Sequence, residues 1–169
     1  MITRIRSVRD DDFDTIAAIT NYYIANTTIH FAYSAVTPEE MRAQRVERYP
    51  FLVYEEDGQV LGYAKAGVWR TRDAYNWTAE LGVYVSSSTL GRGVGRAVYE
   101  ALLLECERTG FRSVVAGITM PNDASVRLHE ALGFSYVGTF RDAGWKHGRW
   151  NDVAWYQKRF ATDDTGPRT

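Results

Sequence analysis

Residues 77–110 decide the fold and read WTAELGVYVSSSTLGRGVGRAVYEALLLECERTG. The stretch opens with aromatic and β-branched residues through Val85, which favour a β-strand. Three glycines follow at alternate positions, Gly91, Gly93 and Gly95, and an apolar pattern with helical spacing then runs to Gly110. A strand, a glycine loop and a helix in this order bring several backbone N–H groups and the positive end of a helix to one point.

The glycine loop suits a phosphate ligand. Glycine lets the backbone approach a ligand closely and turn its N–H groups inward, and Arg92 and Arg96 add positive charge. The loop is not a P-loop, because Gly95 is followed by Arg96 and Ala97 instead of Lys and Ser or Thr. Its G-x-G-x-G spacing also departs from the dinucleotide-binding fingerprint. A flexible surface turn is the alternative, but the strand and helix on either side favour a pyrophosphate site.

The flanking sequence predicts an α+β fold around this stretch. Asp57-Gly58 is typical of a hairpin turn, and Thr37-Pro38-Glu39-Glu40 is a capping box at a helix start. The patterns predict strands over residues 2–8, 51–56, 59–68, 113–118, 134–140 and 152–160, and helices over 10–23, 37–48 and 122–133. We expect a central, mostly antiparallel, twisted sheet with helices on both faces. Residues 1–160 are predicted to form a single domain, followed by a disordered tail over 161–169.

Composition narrows the classes of partner. The 169 residues carry 20 basic and 21 acidic side chains, and the 45% hydrophobic content is enough for a core. We expect no nucleic-acid partner, because a basic excess is missing, and no membrane partner, because no apolar run reaches the length of a membrane span. The single Cys106 allows no internal disulfide, so we expect a cytoplasmic location. His30, His129 and His147 show no metal-ligand spacing, and no metal is expected.

Three segments, in this order and spacing, resemble the GNAT-type N-acetyltransferases: ELGVYV at 80–85 with GRGVGR at 91–96, NDAS at 122–125, and LHEALGF at 128–134. The resemblance covers residues 3–160. Within the superfamily, residues 21–23, 26–28 with Phe31, 67–72 and 144–150 resemble the branch that acetylates phosphinothricin and methionine sulfoximine. The resemblance implies a GNAT fold, acetyl-CoA as co-substrate, a small-molecule amine as acceptor, and a homodimer with the substrate site near its interface.

The resemblance also assigns a cofactor site. Backbone groups of the strand should pair with the pantetheine arm as an added strand would, with Val85 as a partner and the Val83 N–H as oxyanion donor. The other cofactor-binding residues are Gly91, Arg92, Gly93, Val94, Gly95, Arg96, Asn122 and Ser125. Asn122 is equally well explained as a helix N-cap. The family usually has Gln or Arg where this chain has Leu90, so backbone N–H groups should supply most of the pyrophosphate contact, and Arg92 is placed to compensate.

Acetyl transfer from a thioester to an amine needs a base, an oxyanion donor and a proton for the departing thiolate. Glu80, the only acid in residues 77–85, is predicted to be the base, acting directly or through a water. An ordinary surface glutamate is the alternative. His129 stands where many members of the family have a tyrosine that protonates the thiolate, so it is predicted to be the acid. A structural histidine is the alternative.

The predicted substrate-binding residues are Arg70, Arg72, Phe31 and Lys146. Arg70 and Arg72 should share one strand face, where two guanidinium groups suit a carboxylate, although a solvated strand end would look the same. Phe31 is expected to pack on the substrate side chain, and Lys146 is a weaker candidate. Two other functions fit the pattern: acetylation of a protein N-terminus, or a non-catalytic module that binds acyl-CoA.

Overall fold

The computed structural model describes residues 2–161, and within them seven strands form one sheet in the order β1-β2-β3-β4-β5-β7-β6. The strands are β1 Thr3–Ser7, β2 Phe51–Glu56, β3 Gln59–Val68, β4 Thr78–Val85, β5 Ser113–Thr119, β6 Ser135–Lys146 and β7 Arg149–Arg159. The α-helices are α1 Phe13–Asn26, α2 Pro38–Ala43, α3 Val94–Arg108 and α4 Asp123–Ala131. No helix in this part of the chain is long and apolar enough to cross a bilayer. Apart from Ala161, the predicted disordered tail lies outside the described residues.

Helices cover both faces of the sheet, because neighbouring strand residues point to opposite sides. On one face α1 packs against β2 and β3 through Phe13, Phe51 and Tyr63. On the other face α3 packs through Leu102 against a second core cluster that includes Val114 of β5. Every neighbouring pair of strands is antiparallel except β4 and β5. The predicted fold class, a mostly antiparallel sheet with helices on both faces, is therefore confirmed.

The parallel pair is where the sheet opens. β4 and β5 pair over three positions, Thr78 with Ser113, Ala79 with Val114 and Glu80 with Val115. Beyond Glu80 the two strands separate, while β3 remains paired with β4 as far as Val85. One edge of β4 is therefore left without a strand partner, and a cleft opens between the diverging strands.

Several predicted element boundaries are wrong. α2 ends at Ala43 instead of residue 48, because Gln44 and Arg45 donate to the carbonyls of Met41 and Arg42, three residues back, and the helix tightens into a turn. β6 and β7 extend beyond the predicted limits of 140 and 152 and meet in a hairpin. Its two turn residues, His147 and Gly148, have φ values of 50° and 72°, the positive pair that a tight hairpin turn requires.

A buried ion pair ties β1 to the start of α1. Arg6 donates to both carboxylate oxygens of Asp12, at 2.7 and 2.8 Å, and also to Glu55 of β2. The Arg9 N–H donates to Asp12 at 2.6 Å. Burial by itself would raise the pKa of Asp12, but these bonds outweigh it and lower that pKa. The pair thus stabilises the first strand as long as Asp12 stays ionised.

Candidate active site

The opening between β4 and β5 is a cleft of about 530 Å³. Its walls come from β3, β4, β5, α2, α4 and the segment after α1. The predicted residues among its lining are Glu80, Val83, Asn122, Ser125 and His129. Within residues 2–161 no group of three or more His, Cys, Asp or Glu side chains could hold a metal.

The free edge of β4 presents its backbone to the cleft. The Ser86 N–H donates to the Leu61 carbonyl at 2.8 Å, just past the end of the β3–β4 ladder. In an antiparallel pair, every second residue of a strand is hydrogen-bonded to its neighbour. Tyr84, two residues before Ser86, therefore also bonds to β3, and the N–H and C=O of Val83 and Val85 point away from β3. The Val85 carbonyl accepts from the Tyr23 hydroxyl at 2.8 Å. The Val83 N–H therefore faces the split, as the predicted oxyanion donor should.

The glycine loop joins β4 to α3 at the end of this free edge. Gly91 and Gly93 have φ values of 78° and 81°, a left-handed conformation that favours glycine, and Gly93 is the N-cap of α3. Gly95 lies against β4, where an added Cβ would stand 3.3 Å from a methyl of Val85. The first turn of α3 has N–H groups without intrahelical partners. The loop thus combines free backbone donors with the positive end of a 15-residue helix.

The arginines of the loop have acidic partners on the surface. Arg92 bonds to Glu56 of β2 at 2.6 Å, and Arg96 bonds to Glu100 one turn further along α3 at 2.9 Å. Both guanidinium groups lie at the rim of the loop rather than in the cleft. The backbone is consequently the main source of donors for a pyrophosphate, and the arginines contribute positive charge nearby.

Glu80 is the only carboxylate among the residues that line the cleft. Its side chain is exposed at the mouth, on the sheet face that also carries Tyr84. Partial burial raises the pKa of Glu80, and the positive charges of Lys65 and Arg70 oppose that shift without cancelling it. A carboxylate with a raised pKa is a stronger base than a free glutamate. This position and this pKa fit the predicted general base.

His129 lies at the inner wall and is only 3% exposed. Its Nδ1 is 2.8 Å from the Ser125 carbonyl, which can only accept, so Nδ1 carries the proton. Its Nε2 then accepts from the Tyr99 hydroxyl at 3.0 Å. Burial lowers the pKa of His129 more than the bond to Ser125 raises it, which favours a neutral ring. Both ring nitrogens are therefore engaged within the protein.

Asn122 and Ser125 lie at the N-terminus of α4. The Asn122 side chain accepts from the Ser125 N–H at 3.2 Å, so the predicted N-cap is confirmed. Both residues also line the cleft, opposite β4. Capping and contact with a ligand are compatible at this position, because the Asn122 amide retains two N–H donors.

The four predicted substrate residues do not line the cleft. β3 ends at Val68, so the prediction that Arg70 and Arg72 share a strand face is wrong: both lie in the loop that follows. Arg70 still acts on the site, since its charge opposes the rise in the pKa of Glu80 that burial causes. Its guanidinium packs over the Trp69 ring, with the guanidinium carbon 5.2 Å from the ring centroid.

Phe31 and Lys146 have supporting positions behind the cleft wall. An added Cβ at Gly144 would stand 2.3 Å from the nearest Phe31 ring atom, so the ring lies flush on β6. Lys146, expected as a substrate ligand, is 4% exposed and donates to the carbonyls of Ile24 and His30 at 2.7 and 2.5 Å. Lys146 therefore fixes the segment after α1 to the β6–β7 hairpin instead of facing the cleft.

Sequence reasoning missed several cleft residues. Lys65 and Tyr63 extend from β3, Gln44 from the end of α2, and Ile29 and His30 from the segment after α1. A local signal existed for Lys65, which is a single charge in the otherwise apolar run GYAKAGV on β3. The other residues come from elements far apart in sequence, and only the fold brings them together.

Comparison with known proteins identifies the family. A model described as an acetyltransferase (GNAT) domain matches residues 5–155. The chain belongs to the GNAT acetyltransferase family. This acetyltransferase is 46% identical over 159 residues to phosphinothricin N-acetyltransferase of Streptomyces viridochromogenes, across 92% of this chain and 87% of the relative. It is 43% identical to L-methionine sulfoximine/L-methionine sulfone acetyltransferase of Salmonella typhimurium, across 68% and 67% of the two chains.

Solved structures agree with the family assignment. A GNAT superfamily phosphinothricin acetyltransferase from Sinorhizobium meliloti, crystallised in complex with AcCoA, superposes on this acetyltransferase with a TM-score of 0.93. The two are 31% identical, and the match covers 99% of this chain and 94% of the other. The family resemblance found in the sequence is thus confirmed, both for the superfamily and for its phosphinothricin and methionine sulfoximine branch.

Proposed function

We propose that this acetyltransferase transfers the acetyl group of acetyl-CoA to the amine of a small amino-acid-like substrate of the phosphinothricin, methionine sulfoximine or methionine sulfone type. The observation that carries the proposal is the position of Glu80, the one acid of the cleft, next to the unpaired edge of β4. The names of the relatives at 46% and 43% identity support this class of substrate.

The chain offers the contacts that acetyl-CoA needs. A pantetheine arm carries amide groups, and the Val83 N–H and C=O and the Val85 N–H, which point away from β3, suit amides in the way that one strand suits another. The glycine loop, with Gly93 at the N-cap and Val94 and Gly95 in the first turn of α3, suits the pyrophosphate. Asn122 and Ser125 close the opposite wall. Acetyl-CoA supplies an acetyl thioester, which an uncharged amine can attack without an enzyme-bound intermediate.

Glu80 has to take the proton of the substrate ammonium. Its side chain projects into the cleft on the face that carries Tyr84, and the Val83 N–H points into the split nearby. A base on one side and a backbone donor on the other would deprotonate the amine and stabilise the oxyanion that forms. Glu80 acts directly or through one water, according to where the amine lies.

His129 has a smaller part in this proposal. As the acid, it would have to gain a proton first, because the neutral ring uses its Nδ1–H on Ser125 and its Nε2 on Tyr99. Burial opposes that protonation. His129 remains the proposed proton donor to the thiolate. Because its protonation is opposed by burial, we expect its removal to lower kcat much less than the removal of Glu80 does.

Thiol release from acetyl-CoA tests the base. Glu80→Gln keeps the shape of the side chain and removes its basicity, so kcat should fall by ~10²–10⁴-fold while acetyl-CoA binding measured by calorimetry persists. Glu105→Gln, on α3 outside the cleft, where the carboxylate bonds to Arg108, is the matched control and should keep wild-type rates. A loss below about threefold in Glu80→Gln, with chemistry limiting the rate, would show that Glu80 is not the base.

Arg70 is proposed to bind the α-carboxylate, because it is the guanidinium whose charge reaches Glu80. Arg72 is proposed as a second, outer contact. A peptide has an amide where a free amino acid has its carboxylate, and would leave Arg70 without a charged partner. That loss is worth ~10- to 100-fold in specificity. Methionine sulfone should therefore exceed a Ser- or Ala-initiated peptide in kcat/KM, and the margin should shrink in Arg70→Ala. If the peptide is preferred, the substrate is a protein N-terminus.

We also propose a homodimer in the cytoplasm. Strands β6 and β7 bear large apolar side chains that are 48–63% exposed: Tyr136, Val137, Phe140, Trp145 and Trp150. Exposed apolar groups in such a cluster are typical of an interface. Cys106 is buried and unpaired, as in proteins of reducing compartments. Sedimentation equilibrium should give twice the 19.2 kDa chain mass, and Phe140→Asp should shift it toward the monomer.

A further inference from the structure

Lys65 extends into the cleft beside Glu80. The two residues lie on adjacent strands and on the same sheet face, with Lys65 opposite Gly82 in the β3–β4 register. Gly82 has no side chain, and the Tyr84 ring borders it on β4, 3.5 Å from where an added Cβ would stand. Glu80 is two residues further along β4, about 7 Å away along the strand. Lys65 is the only lysine or arginine among the residues that line the cleft.

The ammonium of Lys65 is half-buried and has a neutral partner. Its Nζ donates to the side-chain oxygen of Gln44, at the end of α2. Among the described ion pairs none involves Lys65. Burial lowers the pKa of Lys65, and the charge of Glu80 only partly offsets that shift. A desolvated cation in this state is stabilised by an anion that enters the cleft.

His30, in the segment after α1, supplies a second donor to the cleft. Its Nδ1 accepts from the Ala32 N–H at 3.2 Å, so the neutral ring carries its proton on Nε2. Burial, together with the charges of Lys146 and Lys65, lowers the pKa of His30 and favours the neutral ring. The ring packs near Tyr84, with centroids 5.9 Å apart, and it lines the cleft.

Lys65 and Arg70 lie on opposite sides of Glu80. Glu80 is opposite Gly67 in the register, Lys65 is two residues before Gly67 and Arg70 is three residues after it. An amine held at Glu80 would therefore lie between these two positions along the strand direction, with Lys65 in the cleft and Arg70 in the loop after β3. An α-amino acid whose side chain ends in an oxyacid has the matching order of charges: carboxylate, amine and side-chain anion.

We propose that Lys65 and His30 form a binding site for an anionic oxyacid at the end of the substrate side chain, such as a phosphinate or a carboxylate. The proposal rests on the proposed function, in which Glu80 receives the amine and Arg70 receives the α-carboxylate. It makes the preferred substrate an amino acid with an acidic side chain, so phosphinothricin ranks above methionine sulfone, whose sulfonyl group is neutral.

The test is the ratio of kcat/KM for phosphinothricin to that for methionine sulfone, measured by thiol release. Both substrates share the amine and the α-carboxylate, so an effect of Lys65 on Glu80 or on the α-carboxylate cancels in the ratio. In Lys65→Met the ratio should fall by ~10- to 100-fold, the usual worth of a hydrogen bond to a charged group. Lys65→Arg should keep most of the ratio, and His30→Phe should lower it by ~3- to 10-fold.

Two further measurements keep the outcomes distinct. Lys158→Met, which removes an ammonium that donates to Leu132 outside the cleft, should leave the ratio unchanged. Acetyl-CoA affinity shows that each variant is folded. Equal losses of kcat/KM for the two substrates in Lys65→Met would overturn the proposed side-chain site and leave the proposed function standing. Lys65 would then act on the part that the two substrates share. A wild-type enzyme that acetylates neither compound would overturn the proposed function and this site together.

Discussion

Gly144→Ala should displace the Phe31 ring from β6 and so disturb the segment after α1 that forms part of the active-site wall. Gly144 lies on β6, and an added Cβ would stand 2.3, 2.7 and 2.8 Å from three ring atoms of Phe31. No such contact is tolerated, so the ring must move. The segment that carries Phe31 also places Ile29 and His30 in the cleft, and Lys146 anchors it to β6. The strain should therefore appear in both stability and substrate binding.

The expected size follows from overpacking. An inserted methyl that forces a side chain aside typically costs ~1–3 kcal/mol. For a domain of this length each kcal/mol lowers Tm by ~2–4 °C, so thermal unfolding should begin ~2–12 °C earlier. The KM for the amine should rise by several-fold, while KM for acetyl-CoA, which binds along β4, should stay near its wild-type value.

Gly138→Ala is the matched control. Gly138 lies on the same strand, and a Cβ added there meets no atom within 4 Å. Its variant should stay within ~0.5 kcal/mol of wild type, as most surface changes do. Differential scanning calorimetry and steady-state kinetics measure both variants. If Gly144→Ala and Gly138→Ala are indistinguishable in Tm and in KM, the packing of Phe31 on β6 does not support the cleft wall.

Three other outcomes are expected. Gly93→Asp should abolish acetyl-CoA binding, because the side chain would block the approach of the pyrophosphate to the loop backbone and add negative charge there. Gly110→Asp, at a similar φ of 90° and also in open space, should bind acetyl-CoA normally. Equal calorimetric affinities of the two variants would remove the loop assignment. His129→Phe should lower kcat by less than Glu80→Gln does, and a larger loss would make His129 the dominant group. Because the pKa of Asp12 is lowered in the folded protein, its ion pair should contribute fully to the free energy of unfolding above ~pH 5. That contribution should be lost as the pH falls toward the folded-state pKa, and Asp12→Asn should reduce the loss measured in urea titrations.

Local chemistry made the strands and helix starts predictable. The capping box at Thr37 forms as predicted, with its side chain accepting from the Glu40 N–H and the Glu40 side chain accepting from the Thr37 N–H. The end of that helix was not predictable from the same rules. Arg48, expected inside the helix, instead places its guanidinium carbon 4.4 Å from the Trp77 ring centroid and 5.0 Å from that of Phe111, contacts that only the assembled fold supplies.

The site residues also fall into those that the sequence predicts and those that only the fold brings together. Glu80, Val83 and His129 were accessible to reasoning because each belongs to a contiguous motif. Lys65 and His30 belong to no such motif, and their importance arises from the register of β3 with β4 and from the segment after α1. The β6–β7 turn was missed because a His-Gly pair is a weak signal for two positive φ values, compared with Asn-Gly or Asp-Gly.

The three residue pairs that join β4 to β5 also set how easily this seam of the sheet opens. By the same alternation that turns the Val83 N–H away from β3, the Leu81 N–H points toward β5, where only three pairs join the two strands. Local fluctuations should therefore exchange it faster than the Gly82 N–H, which points toward β3 within a ladder of seven pairs. A ligand aligned along the free edge would act as the missing length of strand and would slow exchange at Val83. Protection against exchange should therefore report occupancy of the cleft before any chemistry takes place.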